Sequence, residues 1–117
     1  MTIGWKLTKQ CREALLAAHP PKYPNVVADH VTLSVSGVQP PDPIIDARIV
    51  GRADDGLGVE AMIVALDGST TRPDGKVWHI TWSLDEGRVA RESNDVIAEK
   101  GWLSLNGEML SLFPAHW

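Results

Sequence analysis

The pattern His-apolar-Thr-apolar-Ser occurs twice in this chain, as His30-Val31-Thr32-Leu33-Ser34 and as His79-Ile80-Thr81-Trp82-Ser83. Alternation of polar and apolar residues with a period of two specifies an extended strand with one wet and one buried face. His30, Thr32 and Ser34 are then expected to project together, with Val31, Leu33 and Val35 packed behind them. His79, Thr81 and Ser83 should do the same, backed by Trp78, Ile80, Trp82 and Leu84. One strand of this kind is ordinarily an edge strand with a wet face. Finding the pattern at two of the four histidines is a stronger constraint. Two such rails, laid side by side, would bring two imidazoles and several hydroxyls into one cleft.

The remaining elements are read from punctuation and periodicity. Thr8 is a suitable N-cap for a helix over 9–18, stopped by His19-Pro20-Pro21. A Pro-bounded loop carrying Lys22, Tyr23 and Pro24 leads to a strand over 28–36, and Pro40, Pro41 and Pro43 mark the next loop. Strands over 44–53 and 58–66 flank a turn at Asp54-Asp55-Gly56, and 67–75 reads as a loop before a strand over 76–84. Ser93 is the expected N-cap of a short helix that closes at Gly101. Trp102–Leu105 and Met109–Phe113 flank Asn106-Gly107 and suggest a final hairpin. The expected class is α+β, one domain over 1–117, with about two helices and about five or six mostly antiparallel strands.

The paired histidines suit a phosphodiester. With an unperturbed pKa of about 6.5, one imidazole can be neutral and take a proton from water while the other, protonated, gives one to a leaving sugar oxygen. Thr32 and Thr81 could hold the non-bridging oxygens as charge develops there. The pattern is the same for both histidines and assigns neither role to one. No cofactor is called for, and no third His, Cys or carboxylate stands at metal-ligand spacing.

At these residues the chain resembles the two-histidine (2H) phosphoesterase superfamily, named for two His-apolar-Ser/Thr-apolar motifs on paired strands. That resemblance implies a compact, two-lobed, pseudo-twofold fold of antiparallel sheets around a cleft. It implies catalysis by His30 and His79 and phosphate binding by Thr32 and Thr81. The members it is most similar to are RNA 2′,3′-cyclic phosphodiesterases and the cyclic phosphodiesterase domain of tRNA ligases. The short interval between the motifs implies trimmed loops.

The expected activity is therefore metal-independent opening of a 2′,3′-cyclic phosphate at an RNA end, in RNA repair or processing. A small cyclic nucleotide or ADP-ribose cyclic phosphate is the alternative substrate. A non-catalytic RNA- or nucleotide-binding module on the same scaffold is the third reading. Secondary candidates are Ser34, Ser83, Lys22 and Tyr23, with Arg72 and Lys76 as further phosphate contacts. Tyr23, Trp102 and Phe113 are candidates to stack on a base. A net charge of −4 argues against a surface that grips duplex DNA. No apolar run reaches the roughly 18 residues of a membrane span, and a single cysteine, Cys11, suits a reducing cytoplasm.

Overall fold

Residues 1–117 are described by a computed structural model. In chain order the elements are β1 (Ile3–Leu7), α1 (Lys9–Ala18), β2 (Asn25–Val26), β3 (His30–Ser34), β4 (Ala47–Asp54), β5 (Val59–Leu66), β6 (His79–Leu84), α2 (Glu92–Lys100), β7 (Leu103–Met109) and β8 (Leu112–His116). The strands form two antiparallel sheets, one of order β3-β1-β8 and one of order β2-β6-β5-β4-β7. The class is α+β, as the alternation of strand-like and helix-like periods requires. No helix is long and apolar enough to cross a membrane.

The two sheets share one main core. Trp5, Leu7 and Val31 from the smaller sheet meet Ile49, Met62, Val64, Trp78, Ile80 and Trp82 from the larger, and Leu15 of α1 closes the end. Trp5 and Trp78 pack edge to face across the junction, their centroids 5.6 Å apart. The opposite face of the larger sheet carries a second cluster, in which Ala53, Val59, Ala61 and Ile63 receive Val96 and Ile97 of α2. β5 is therefore covered on both faces, which explains its nearly continuous apolar sequence.

α1 begins and ends where its sequence places it. The Thr8 side chain accepts the amide hydrogen of Cys11 at 3.2 Å, and the His19 amide closes the helix on the Leu15 carbonyl. The β4–β5 turn is held by carboxylates: Asp54 accepts from the Gly56 amide, and Asp55 from the amides of Leu57 and Val59.

Three expectations are corrected. The final hairpin is absent: β7 pairs with β4 on both sides of Asn106-Gly107, which with Leu105 form an irregularity opposite Val50, and β8 joins β1 in the other sheet. An Asn-Gly pair turns a hairpin only when its flanks can pair with each other; here each flank finds a longer partner elsewhere. Ser93 is not a cap. The helix starts at Glu92, and Ser93 is fully buried in the first turn with its hydroxyl 2.9 Å from that of Thr81. β1 is absent from the expected elements, although Ile3, Trp5 and Leu7 alternate as a half-buried strand should.

Both motif strands carry a bulge at the same place. Opposite β3, Ile3 faces Ser34 and Gly4 faces Thr32, leaving Leu33 as the extra residue. Opposite β6, Glu60 faces Ser83 and Ala61 faces Thr81, leaving Trp82 as the extra residue. At the first bulge, a Cβ on Gly4 would stand 2.1 Å from the Val31 carbonyl oxygen, so only glycine fits beneath the motif. Gly4→Ala is expected to destabilise the protein by about 3 kcal/mol, because the obstructing atom is backbone and cannot rotate away. Chemical denaturation of wild type and variant measures this; a change below about 0.5 kcal/mol would mean the strands can part at that point without cost.

Candidate active site

The segment from Asn25 to Ser34 belongs to both sheets. Its first half lies along β6, with the Val27 amide on the Trp82 carbonyl at 2.9 Å and the Ala28 amide on the Thr81 carbonyl at 3.0 Å. Its second half, β3, lies along β1. Between them Ala28 is fully buried with φ of 42°, a left-handed conformation uncommon outside glycine. The Arg12 side chain reaches from α1 to hold this corner, donating to the carbonyls of Ala28 at 2.8 Å and Val27 at 3.3 Å. His30 stands two positions after Ala28, so the first motif begins within roughly 7 Å of a backbone bonded to the second.

β3 is an edge strand of the small sheet, and β2 covers only the Ser83–Leu84 end of β6. The His79–Thr81 end is thus left open toward β3. The gap between the strands is a cleft of about 500 Å3, lined by His30 and Thr32 on one side and by His79 and Thr81 on the other. Arg72, Asp74 and Lys76 of the loop before β6, Arg91 at the start of α2, and Trp117 complete its walls.

Each imidazole is held through Nδ1. His79 Nδ1 donates to the Val77 carbonyl at 2.9 Å, and His30 Nδ1 donates to the Asp29 carboxylate at 3.0 Å. In both rings Nε2 is left without a protein partner, and neither atom is sealed from solvent. The environments differ. Burial lowers the His79 pKa below its ordinary 6.5; the Val77 carbonyl opposes this, while Arg72, His30 and Lys76 add to it by charge repulsion. His30 lies instead against the Trp117 indole, with centroids 4.4 Å apart. Asp29, its carboxylate partner, is also 3.7 Å from Lys6 Nζ.

The threonines are unequal too. The Thr81 side chain is engaged by α2, through Ser93 at 2.9 Å and the Ala90 carbonyl at 3.3 Å. Thr32 lines the cleft, and its backbone carbonyl accepts Arg72 Nη1 at 3.4 Å. The same guanidinium grips Asp74 through Nε and Nη2, at 2.9 and 2.8 Å, and pushes that carboxyl down to about 2. Arg72 therefore ties the loop before His79 to the strand that carries His30.

Of Ser34, Ser83, Lys22 and Tyr23, none joins the histidines with a free side chain, whereas Arg72 and Lys76 do line the cleft. The bulge at Trp82 turns Ser83 to the other face, where its buried hydroxyl donates to Glu60 at 2.6 Å. Ser34 borders the cleft, but the Leu33 bulge aligns it with Ile3 and its hydroxyl accepts the Ser36 amide at 3.2 Å. Lys22 and Tyr23 lie on the far side of β6, both bound to Asp54 at 2.7 Å. Trp102 packs on Gly51 and Phe113 lies on β8; neither lines the cleft. Cys11 is half-buried and accepts the Ser111 amide. His19 pairs with Glu108, and His116 is exposed.

Asp29, which holds His30, and the cleft residues Arg91 and Trp117 are the site residues that the motif pattern does not reveal. Asp29 stands next to His30 in sequence and was legible as its neighbour. Arg91 and Trp117 reach the site only through folding: Trp117 is placed by its backbone pairing with Thr2, both amides bonding at 3.2 and 2.9 Å. No group of three or more His, Cys, Asp or Glu side chains is arranged to hold a metal ion. Comparison with protein-family models, curated proteins and solved structures finds no match to the chain.

The depressed His79 pKa has a stability consequence of fixed sign. The unfolded chain binds this proton more readily, so the contribution is present above pH 6.5 and is lost as pH falls through the folded value. NMR titration should place the His79 midpoint below 6.5 with the proton on Nδ1. His79→Gln should flatten the loss of stability just below that pH. A midpoint above 6.5 would contradict the burial of the ring.

Proposed function

We propose that this protein is a 2H-type phosphoesterase that opens 2′,3′-cyclic phosphates by metal-independent acid–base catalysis. One observation carries the reading: His30 and His79, from strands of different sheets, line one cleft with both Nε2 atoms free. In this reading His79 is the base. Its burial favours the neutral ring, and the Val77 carbonyl holds the Nδ1–H tautomer, which leaves a lone pair on Nε2. It removes a proton from water as the water oxygen attacks phosphorus. His30 is the acid. Its Nε2–H gives a proton to the sugar oxygen as the P–O bond to that oxygen breaks, and Asp29 faces the positive charge the ring holds beforehand.

Thr32, with Arg72 beside it, meets the charge developing on the non-bridging oxygens. Thr81 contributes less as a donor, because its hydroxyl is already engaged with α2. The substrate is an RNA end or a small cyclic nucleotide, the product is the monoester, and the single free cysteine suits a cytoplasmic setting.

An RNA oligonucleotide ending in a 2′,3′-cyclic phosphate, incubated with EDTA, tests this directly. Wild type should open the ring, and His30→Ala and His79→Ala should each lower kcat/KM by about 100-fold or more. The pH profile of kcat/KM should be bell-shaped, with its acid limb below 6.5 because His79 must be neutral. Full activity in either alanine variant would end the two-histidine mechanism.

A further inference from the structure

Basic residues in this chain are mostly neutralised by neighbours. Lys6, Lys22, Arg48, Arg52, Arg72 and Arg88 each pair with a carboxylate, as expected where 15 acidic residues face 11 basic ones. Lys9, Arg12, Lys76, Arg91 and Lys100 do not, and of these five only Lys76 and Arg91 line the histidine cleft. Neither of those two side chains makes a hydrogen bond within the protein. The only acidic residue in that lining is Asp74, and Arg72 occupies both of its oxygens. The cleft is thus cationic in a chain of net charge −4.

The cations also exceed what one phosphate needs. Arg72, Thr32 and the two imidazoles already surround the position proposed for the cyclic phosphate. Lys76 extends along the loop before β6, and Arg91 precedes α2 on the Thr81 side of the cleft. At about 500 Å3 the cleft falls within the range of roughly 300–1,000 Å3 that takes a drug-sized ligand, well beyond a single phosphate.

Resting on the reading of His30 and His79 as the phosphoryl site, we infer that Lys76 and Arg91 form a second phosphate subsite. It would hold the 5′-phosphate of the terminal nucleotide. The substrate class is then the 3′ end of an RNA strand, in which that phosphate is always present, rather than a nucleoside cyclic phosphate, which lacks it. Ammonium and guanidinium groups free of carboxylates are the donors such a dianion or diester selects.

Binding tests the subsite apart from catalysis. Adenosine 2′- and 3′-monophosphates would be titrated by calorimetry against adenosine 2′,5′- and 3′,5′-bisphosphates. Wild type should bind a bisphosphate about tenfold more tightly than its monophosphate. Lys76→Ala/Arg91→Ala should abolish that preference without weakening the monophosphate, and Lys76→Arg/Arg91→Lys should retain it. Both side chains are exposed and unbonded, so the substitutions leave the fold intact. Equal affinities in wild type, failure of both ligands to bind, or a preference that survives the alanine pair overturns the subsite. A bisphosphate preference in a protein that does not open cyclic phosphates would keep the subsite and fail the hydrolase reading.

Discussion

The corner at Ala28 is the constraint on which the rest of the structure depends. A single strand-like segment is hydrogen-bonded first to β6 and then to β1, and it changes sheets within two residues. A non-glycine residue adopts a positive φ there at a cost of order 1–2 kcal/mol. The guanidinium of Arg12, by binding the carbonyls of Val27 and Ala28, supplies the acceptors' partners that neither sheet provides. Without this corner the two motif strands would be held together only through the shared core. With it, the backbone that introduces His30 is bonded to the backbone of Thr81.

The two halves of the cleft are alike in sequence and unlike in surroundings. Each has a histidine held through Nδ1, a threonine two residues on, and a bulge after it. The difference comes from what covers each strand. β6 lies within a sheet that α2 covers on the cleft-bearing face; burial lowers the His79 pKa, and Thr81 is engaged by Ser93. β3 is an edge strand, and its histidine meets a carboxylate and an indole instead. Identical motifs thereby acquire different electrostatics, which is the condition for one group to accept a proton while the other donates.

On the far side of β6 the buried charge is structural. Glu60 is fully buried and is met by Arg52 at 2.7 Å, the Ser83 hydroxyl at 2.6 Å and the Lys22 amide at 3.0 Å. A carboxylate removed from water requires such partners, and they account for Ser83, Lys22 and, through Asp54, Tyr23 without any ligand. The bulge at Trp82 separates this network from the cleft by turning one motif residue away.

Local patterns in the sequence determined what could be decided locally. The period of two in both motifs, the Thr8 cap, the carboxylate turn at Asp54-Asp55 and the apolar run of β5 each specify an element through interactions among near neighbours. The histidine pair was legible because it is a repeated strand pattern. Tertiary structure alone decided the rest. A one-residue bulge reverses the face of every later residue, so Ser83 left the rail its alternation predicts, while Ser34 stays at the cleft border with its hydroxyl engaged by the Ser36 amide. Asn106-Gly107 is a turn sequence that makes an irregularity within β7 instead of a hairpin, because β4 pairs with the strand on both sides of it. Arg91 and Trp117 reach the cleft through chain reversals far from either motif, and no periodicity encodes a contact whose members are brought together only by sheet pairing.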